Sequence, residues 1–328
     1  MNRLIAFFAI VLISVVFISC EKGIDINDDY KVTTIVYGLI DPTDSISYLR
    51  IEKAFLSEGD AFVSAQVADS NLFPYKLDVK LRAENGDVVV TFDTITIYNK
   101  KEGIFYSPKM LVYYAVTKDL LNDIDTYTLE INNPINGEQV SAKTQFIDGS
   151  KLIIDKPNIT MHFNENNRYA VEFISYKDIK LYSANIRFHY MEEHIYTGDS
   201  IWYYTDWVLN SVTSNDLYGG EELKIRYFSN DFFTNLLDNI PFKDDVIRRV
   251  WQIEVIVTMA DETFNHYLES HTPGASIIMD RPDFTNIENG YGIFASRTKQ
   301  VKFTKLNAPS HAFLMKIQSL NFRDSFDK

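Results

Sequence analysis

Few side chains in this sequence stand at spacings that could do chemistry, and the single cysteine is the first to weigh. A thiol can serve as nucleophile, metal ligand or disulfide partner, in each case through its thiolate. Cys20 follows Met1, Asn2, a lone positive charge at Arg3, an uncharged and almost wholly apolar run from Leu4 to Phe17, and then Ile18-Ser19. That run is shorter than the roughly 20 residues a spanning helix needs. It has the length of a secretory h-region. Phe17 and Ile18 ahead of Ser19 suit a lipobox better than an A-x-A cleavage site. The expectation is a signal peptide over residues 1–19 and an acylated Cys20. The thiol is then spent on lipid.

The histidines raise the question of a metal. His189-Tyr190-Met191-Glu192-Glu193-His194 comes close to H-x-x-E-H but holds one residue too many. On a strand, His189 and His194 face opposite ways, so they cannot share an ion. His266 and His271, five apart on a helix, also diverge. Glu262, His266 and Glu269 share a helical stripe, more in the manner of a solvated face than a site. Asp25, Asp28 and Asp29, and likewise Asp119, Asp123 and Asp125, lack the calcium-loop spacing. No G-x-S-x-G element occurs. Gly290 and Gly292 flank Tyr291, but they enter a strand and lack the third glycine of a dinucleotide loop, so they read as a turn or lid at a sheet end. The reading carries no catalytic residue, no metal and no cofactor.

Aromatic residues are the remaining candidates. In Ile201-Trp202-Tyr203-Tyr204-Thr205-Asp206-Trp207 a strand places Trp202 and Tyr204 on one face, with Tyr203 and Trp207 on the other. One face is expected in a core. The other would present Trp202 and Tyr204 to a glycan or protein ligand. Asp44-Ser45-Ile46, Asp93-Thr94-Ile95 and Asp199-Ser200-Ile201 also match an O-glycosylation triplet.

The elements that must position these residues are mostly strands. Aromatic richness, with 20 Tyr and 23 Phe, favours them. Leu49, Ile51 and Phe55 alternate with polar neighbours, as do Tyr75, Leu77, Val79 and Leu81. Asn85-Gly86 predicts a type I′ hairpin into Val88-Val89-Val90. Tyr127 to Ile131, a turn at Pro134 to Gly137, and the alternating Val140, Ala142, Thr144 and Phe146 look like the closing hairpin of an immunoglobulin-like sandwich. Tyr127 then stands where a tyrosine corner is expected. Further on, strands are read at Tyr169–Phe173, Ala184–Tyr190, Leu223–Tyr227 and Trp251–Met259. Helices are read after Ser229-Asn230, after Asp261 and from Ser310.

The expected class is therefore mainly β with α+β character. An immunoglobulin-like β-sandwich over 31–150 precedes an antiparallel β-rich domain over 151–328 with two or three short helices. Residues 20–30, polar and acidic, form a tether. A formal net charge of −13 argues against nucleic acid as a partner.

Val36-Tyr37-Gly38-Leu39-Ile40-Asp41-Pro42, the stretch Tyr48 to Leu56, and Phe284 to Ser296 with Gly290-Tyr291-Gly292 inside it, together with the lipobox, resemble an uncharacterised family of outer-membrane lipoproteins from the Bacteroidota. The resemblance implies an immunoglobulin-like N-terminal half and a β-rich C-terminal half, and it brings no established catalytic residues. The expected role is a non-catalytic binding or assembly protein. It would be anchored by its lipid in the outer membrane, facing periplasm or cell surface, and would meet an outer-membrane protein or glycan. A carboxylate-based glycan hydrolase and a purely structural envelope component are the alternatives.

Overall fold

The computed structural model describes residues 32–54, 61–98, 103, 106, 109–122, 125–163, 167–271 and 284–324. Cys20, the signal segment, the tether, Phe55 and Asp123 lie outside them.

Eight strands build the first half: β1 (Thr34–Ile40), β2 (Ile46–Lys53), β3 (Asp78–Ala83), β4 (Val89–Thr91), β5 (Asp93–Ile97), β6 (Met110–Val116), β7 (Thr126–Asn132) and β8 (Gln139–Gln145). They pair as β1-β2-β6-β5 and as β8-β7-β3-β4. Lettered along the chain, that is A-B-E-D opposite G-F-C-C′, the strand order of an immunoglobulin-like sandwich. Alternation fills the space between. Leu49 and Ile51 of β2, Val79 and Leu81 of β3, and Leu129 and Ile131 of β7 are all buried. The tyrosine corner is present: the Asn122 backbone N–H donates to the Tyr127 hydroxyl at 2.9 Å. The Tyr127 ring stacks on Phe146 with centroids 4.4 Å apart.

Two details differ from expectation. The β3–β4 hairpin forms, but only Gly86 has a positive φ, at 80°. A type I′ turn needs positive φ at both central residues. Here Asn85 instead accepts the Asp87 N–H on its side chain. Short helices α1 (Ala61–Ala65) and α2 (Ala68–Asn71) also interrupt a half that reads as strands alone. Asn71 ties them, donating to the carbonyls of Ala65 and Val67.

The second half contains β9 (Ile154–Lys156), β10 (Thr160–Met161), β11 (Arg168–Ile174), β12 (Leu181–His194), β13 (Ser200–Thr213), β14 (Glu222–Phe228), α3 (Ser229–Asn239), β15 (Val246–Ala260), α4 (Glu262–His271), β16 (Ile287–Glu288), β17 (Gly290–Leu306) and α5 (Ala308–Met315). The long strands run β13-β12-β15-β17, and a smaller sheet runs β14-β11-β9. Val171, Phe173, Ile186, Phe188, Ile225, Val255 and Val257 share one core with Phe232 and Leu236 of α3 and Leu314 of α5. Two helices start earlier than their sequence signals suggest. α3 has Phe228 at its N-cap, with Ser229 already helical and buried. α5 begins before Ser310, because the Asn307 side chain caps it by accepting the Ser310 N–H and Pro309 fills the first turn. Asp261 caps α4 as expected, accepting the Phe264 N–H at 2.9 Å.

β17 ties the halves together. Its first part, Gly290–Ser296, lies parallel to β1, and its continuation through Thr304 lies antiparallel to β15. One hydrogen-bonded sheet therefore crosses the boundary expected near residue 150. Two of the sequence segments that carry the family resemblance are neighbours in it, with Val36 opposite Gly292 and Ile40 opposite Ser296. Gly292 is thus neither turn nor lid. It sits inside the strand at φ 106°, where a Cβ would fall 2.0 Å from the Val36 carbonyl oxygen.

Candidate functional site

The outer face of the β13-β12-β15-β17 sheet carries the aromatic candidates. On β13, Thr205 and Trp207 turn inward, and Trp207 packs against the core. Trp202 and Tyr204 turn outward and remain 59% and 57% exposed. Among the described strands β13 pairs with β12 alone and so forms a sheet edge. Nothing among the described residues covers this face.

A third ring joins them that alternation places elsewhere. Trp251 heads the run Ile253, Val255, Val257, Met259 and by parity should be buried with them. It is 54% exposed instead. The cause is a β-bulge: His189 pairs with Gln252 while Tyr190 pairs with Val250, so Trp251 is the extra residue. The switch shows in the burial along the strand. Before the bulge the inward positions are even-numbered, Val246 and Arg248, and after it they are odd-numbered. Trp251 reaches Trp202 across the sheet, with ring centroids 5.0 Å apart and planes tilted by 56°.

Polar groups on the same face set these rings. His189 on β12 lies between Tyr204 and Trp251, with centroids 5.9 and 5.7 Å away. Its Nε2 stands 2.9 Å from Glu254 Oε1, an ion-pair distance without the alignment of a good hydrogen bond. Arg187 lies over Tyr204 at 4.2 Å from the ring centroid. Its Nε and Nη2 donate to the two Asp206 oxygens at 2.8 and 3.0 Å. That fork holds the Asp206 carboxyl below its usual range, and burial only partly opposes it. The guanidinium is fixed from two sides, so Tyr204 is held as a rigid surface.

The remaining candidates do not converge. His194 sits 3.5 Å from Asp245, away from the partner of His189. His271 bonds to the Tyr267 carbonyl and Ser270, and Glu269 accepts from Asn265. Among the described residues no group of three His, Cys, Asp or Glu side chains could hold a metal ion. Of four cavities among the described residues, each is lined by one carboxylate: Glu172, Asp231, Asp119 or Asp324. Ser45 and Ser200 of the glycosylation triplets are exposed, and Thr94 is half-buried. No described helix is long and apolar enough to cross a membrane.

No protein-family model matches the chain, and no curated protein matches it. Among solved structures, the crystal structure of CBD12 from CALX1.2 aligns over 81% of this chain and 100% of that one, at 8% identity and a TM-score of 0.15. At that score the likeness carries no argument, and the sandwich assignment rests on the strand order.

Proposed function

We propose that this chain is an outer-membrane lipoprotein of the Bacteroidota type it resembles, tethered through acylated Cys20 and acting as a non-catalytic binding or assembly protein. Trp202, Tyr204 and Trp251 form its contact surface for a glycan or protein ligand. The observation that carries this reading is the cluster of three large rings turned to solvent on one sheet face. Exposed aromatic patches are costly in a protein that has nothing to bind. Tilted indole rings offer faces for sugar C–H groups or apolar side chains, and their N–H edges offer donors. No observation favours the hydrolase alternative, which needs two carboxylates about 5–10 Å apart in one cleft.

The test is a glycan-binding screen run beside cross-linking in intact envelopes, with wild type and Trp202→Ala/Trp251→Ala. The double variant should lose about 2 kcal/mol or more of affinity, roughly 30-fold, with its unfolding midpoint unchanged. Equal capture by both proteins would overturn the assignment of the surface. Labelled palmitate should enter the wild type and not Cys20→Ser. Protease treatment of whole cells decides which side of the membrane the protein faces.

A further inference from the structure

The outer face of the smaller sheet holds a second feature, unrelated to the aromatic cluster. β11 lies between β14 and β9, with Arg168 opposite Phe228, Ala170 opposite Arg226, and Glu172 opposite both Lys224 and Lys156. The short side chain of Ala170, among long neighbours, leaves a hollow of about 640 Å³. A second hollow of about 350 Å³ adjoins it, and Arg168, Arg226 and Tyr227 line both. Among the described residues, the larger hollow is lined by four cations, Lys156, Arg168, Lys224 and Arg226, against the single carboxylate of Glu172. This local excess of positive charge stands on a chain whose formal net charge is −13.

Glu172 is already engaged. Lys156 lies 3.1 Å and Lys224 3.5 Å from its Oε2, and the Lys156 hydrogen bond in particular holds its carboxyl below the usual range. Arg168 and Arg226 have no carboxylate partner among the described residues. They occupy diagonal positions on paired strands, where Cβ atoms lie about 7–8 Å apart. Two like charges at that spacing repel, and an anion between them relieves the repulsion. Arg168 lies over the Phe228 ring, 4.6 Å from its centroid. A guanidinium fork beside an aromatic ring suits an acid group carried on a ring-shaped unit.

We infer that this hollow binds a linear acidic glycan, whose carboxylate or sulfate groups are held by Arg168 and Arg226. An acidic peptide fits less well. Peptides that lie extended on sheets gain affinity from main-chain hydrogen bonds at an open strand edge; the hollow lies over β11, which is paired on both sides, and the open edges of β14 and β9 are at its rims. A glycan needs only side-chain forks and ring contacts, and those are what this face supplies.

The test measures binding by the full-length protein in detergent to polygalacturonate, dextran sulfate, neutral dextran and poly-glutamate. At least one acidic glycan should bind, more weakly as salt rises, while dextran does not. Binding by polygalacturonate alone or by dextran sulfate alone supports the proposal and identifies the acid group. Arg168→Gln/Arg226→Gln should weaken that binding about tenfold or more, and Arg226→Lys should weaken it less. Both substitutions fall on exposed side chains, so the unfolding midpoint should stay in place. The proposal is overturned if neither acidic glycan exceeds dextran, if poly-glutamate binds as well as the better glycan, or if the double arginine variant binds as the wild type does.

Discussion

At the scale of single residues, Tyr127 shows how one hydroxyl can hold a loop. Its ring is buried in the first sandwich, and its oxygen is the acceptor for the Asn122 N–H. Burial is the main reason its phenol is pushed above the ordinary value. Tyr127→Phe keeps the ring and leaves that N–H without its acceptor, so it should cost about 1–3 kcal/mol in urea unfolding. A cost near zero would mean that water replaces the hydroxyl. Tyr182 repeats the device in the second half: it accepts from the Tyr176 N–H at 2.8 Å, and burial pushes its phenol up to about 12. Asp206 supports a prediction about pH. Its folded pKa is depressed by Arg187, so its contribution is present above the unfolded value of about 3.9 and is lost as pH falls through the folded value. Asp206→Asn should therefore be less stable than wild type at pH 7, and the difference should shrink as pH falls below the unfolded value. A difference that persists undiminished at pH ~2 would place the effect outside ionisation. Asp261 has the opposite sign. Burial raises its pKa despite hydrogen bonds from Phe264, Ser296 and Thr144, so its contribution is present below the unfolded value and is lost as pH rises through the folded one.

Among the elements, β17 and the bulge in β15 matter most. β17 can lie against β1 because Gly292 has no Cβ to meet the Val36 backbone. The positive φ at that residue is a second constraint that alanine would meet at a cost. Gly292→Ala should destabilise by about 3 kcal/mol or more, combining backbone strain with separation of the two strands. A soluble, equally stable variant would show that the strands part easily. Hydrogen exchange should also accelerate in Thr34–Ile40 before it does in β12. The bulge acts differently. It costs one ladder position and moves an indole from the core side to the wet side, where it meets Trp202.

For the whole molecule, a buried arginine joins parts far apart in sequence. Arg248 is 0% exposed. Its Nε donates to Glu192 Oε1 at 2.9 Å, its Nη1 to the Leu320 carbonyl at 2.8 Å and its Nη2 to the Pro241 carbonyl at 2.7 Å. Lys243 takes the other Glu192 oxygen at 2.5 Å. The C-terminal segment and the loop after α3 are thus fastened to the long sheet through one guanidinium. Arg248→Met should cost about 3–5 kcal/mol, because it leaves Glu192 buried with one partner fewer. A loss under about 1 kcal/mol in chemical denaturation would show that water or Lys243 compensates.

Much of this was legible in the residues themselves. Strand periodicity, the hairpin turns and the place of Tyr127 follow from side-chain alternation and turn chemistry, which act over a few residues. The facing of Trp202 and Tyr204 is of the same kind, since parity on a strand is local. Other features depend on which strands meet. Trp251 faces solvent because β12 and β15 pair out of step by one residue, and no single strand records its partner's register. Gly292 is required because β1 lies beside it, more than 250 residues earlier in the chain. The basic hollow exists because Arg168, Lys224, Arg226 and Lys156 come from three strands that become neighbours only in the folded sheet. Local pattern could say which side chains would be wet, and pairing between distant strands decided which of them stand together.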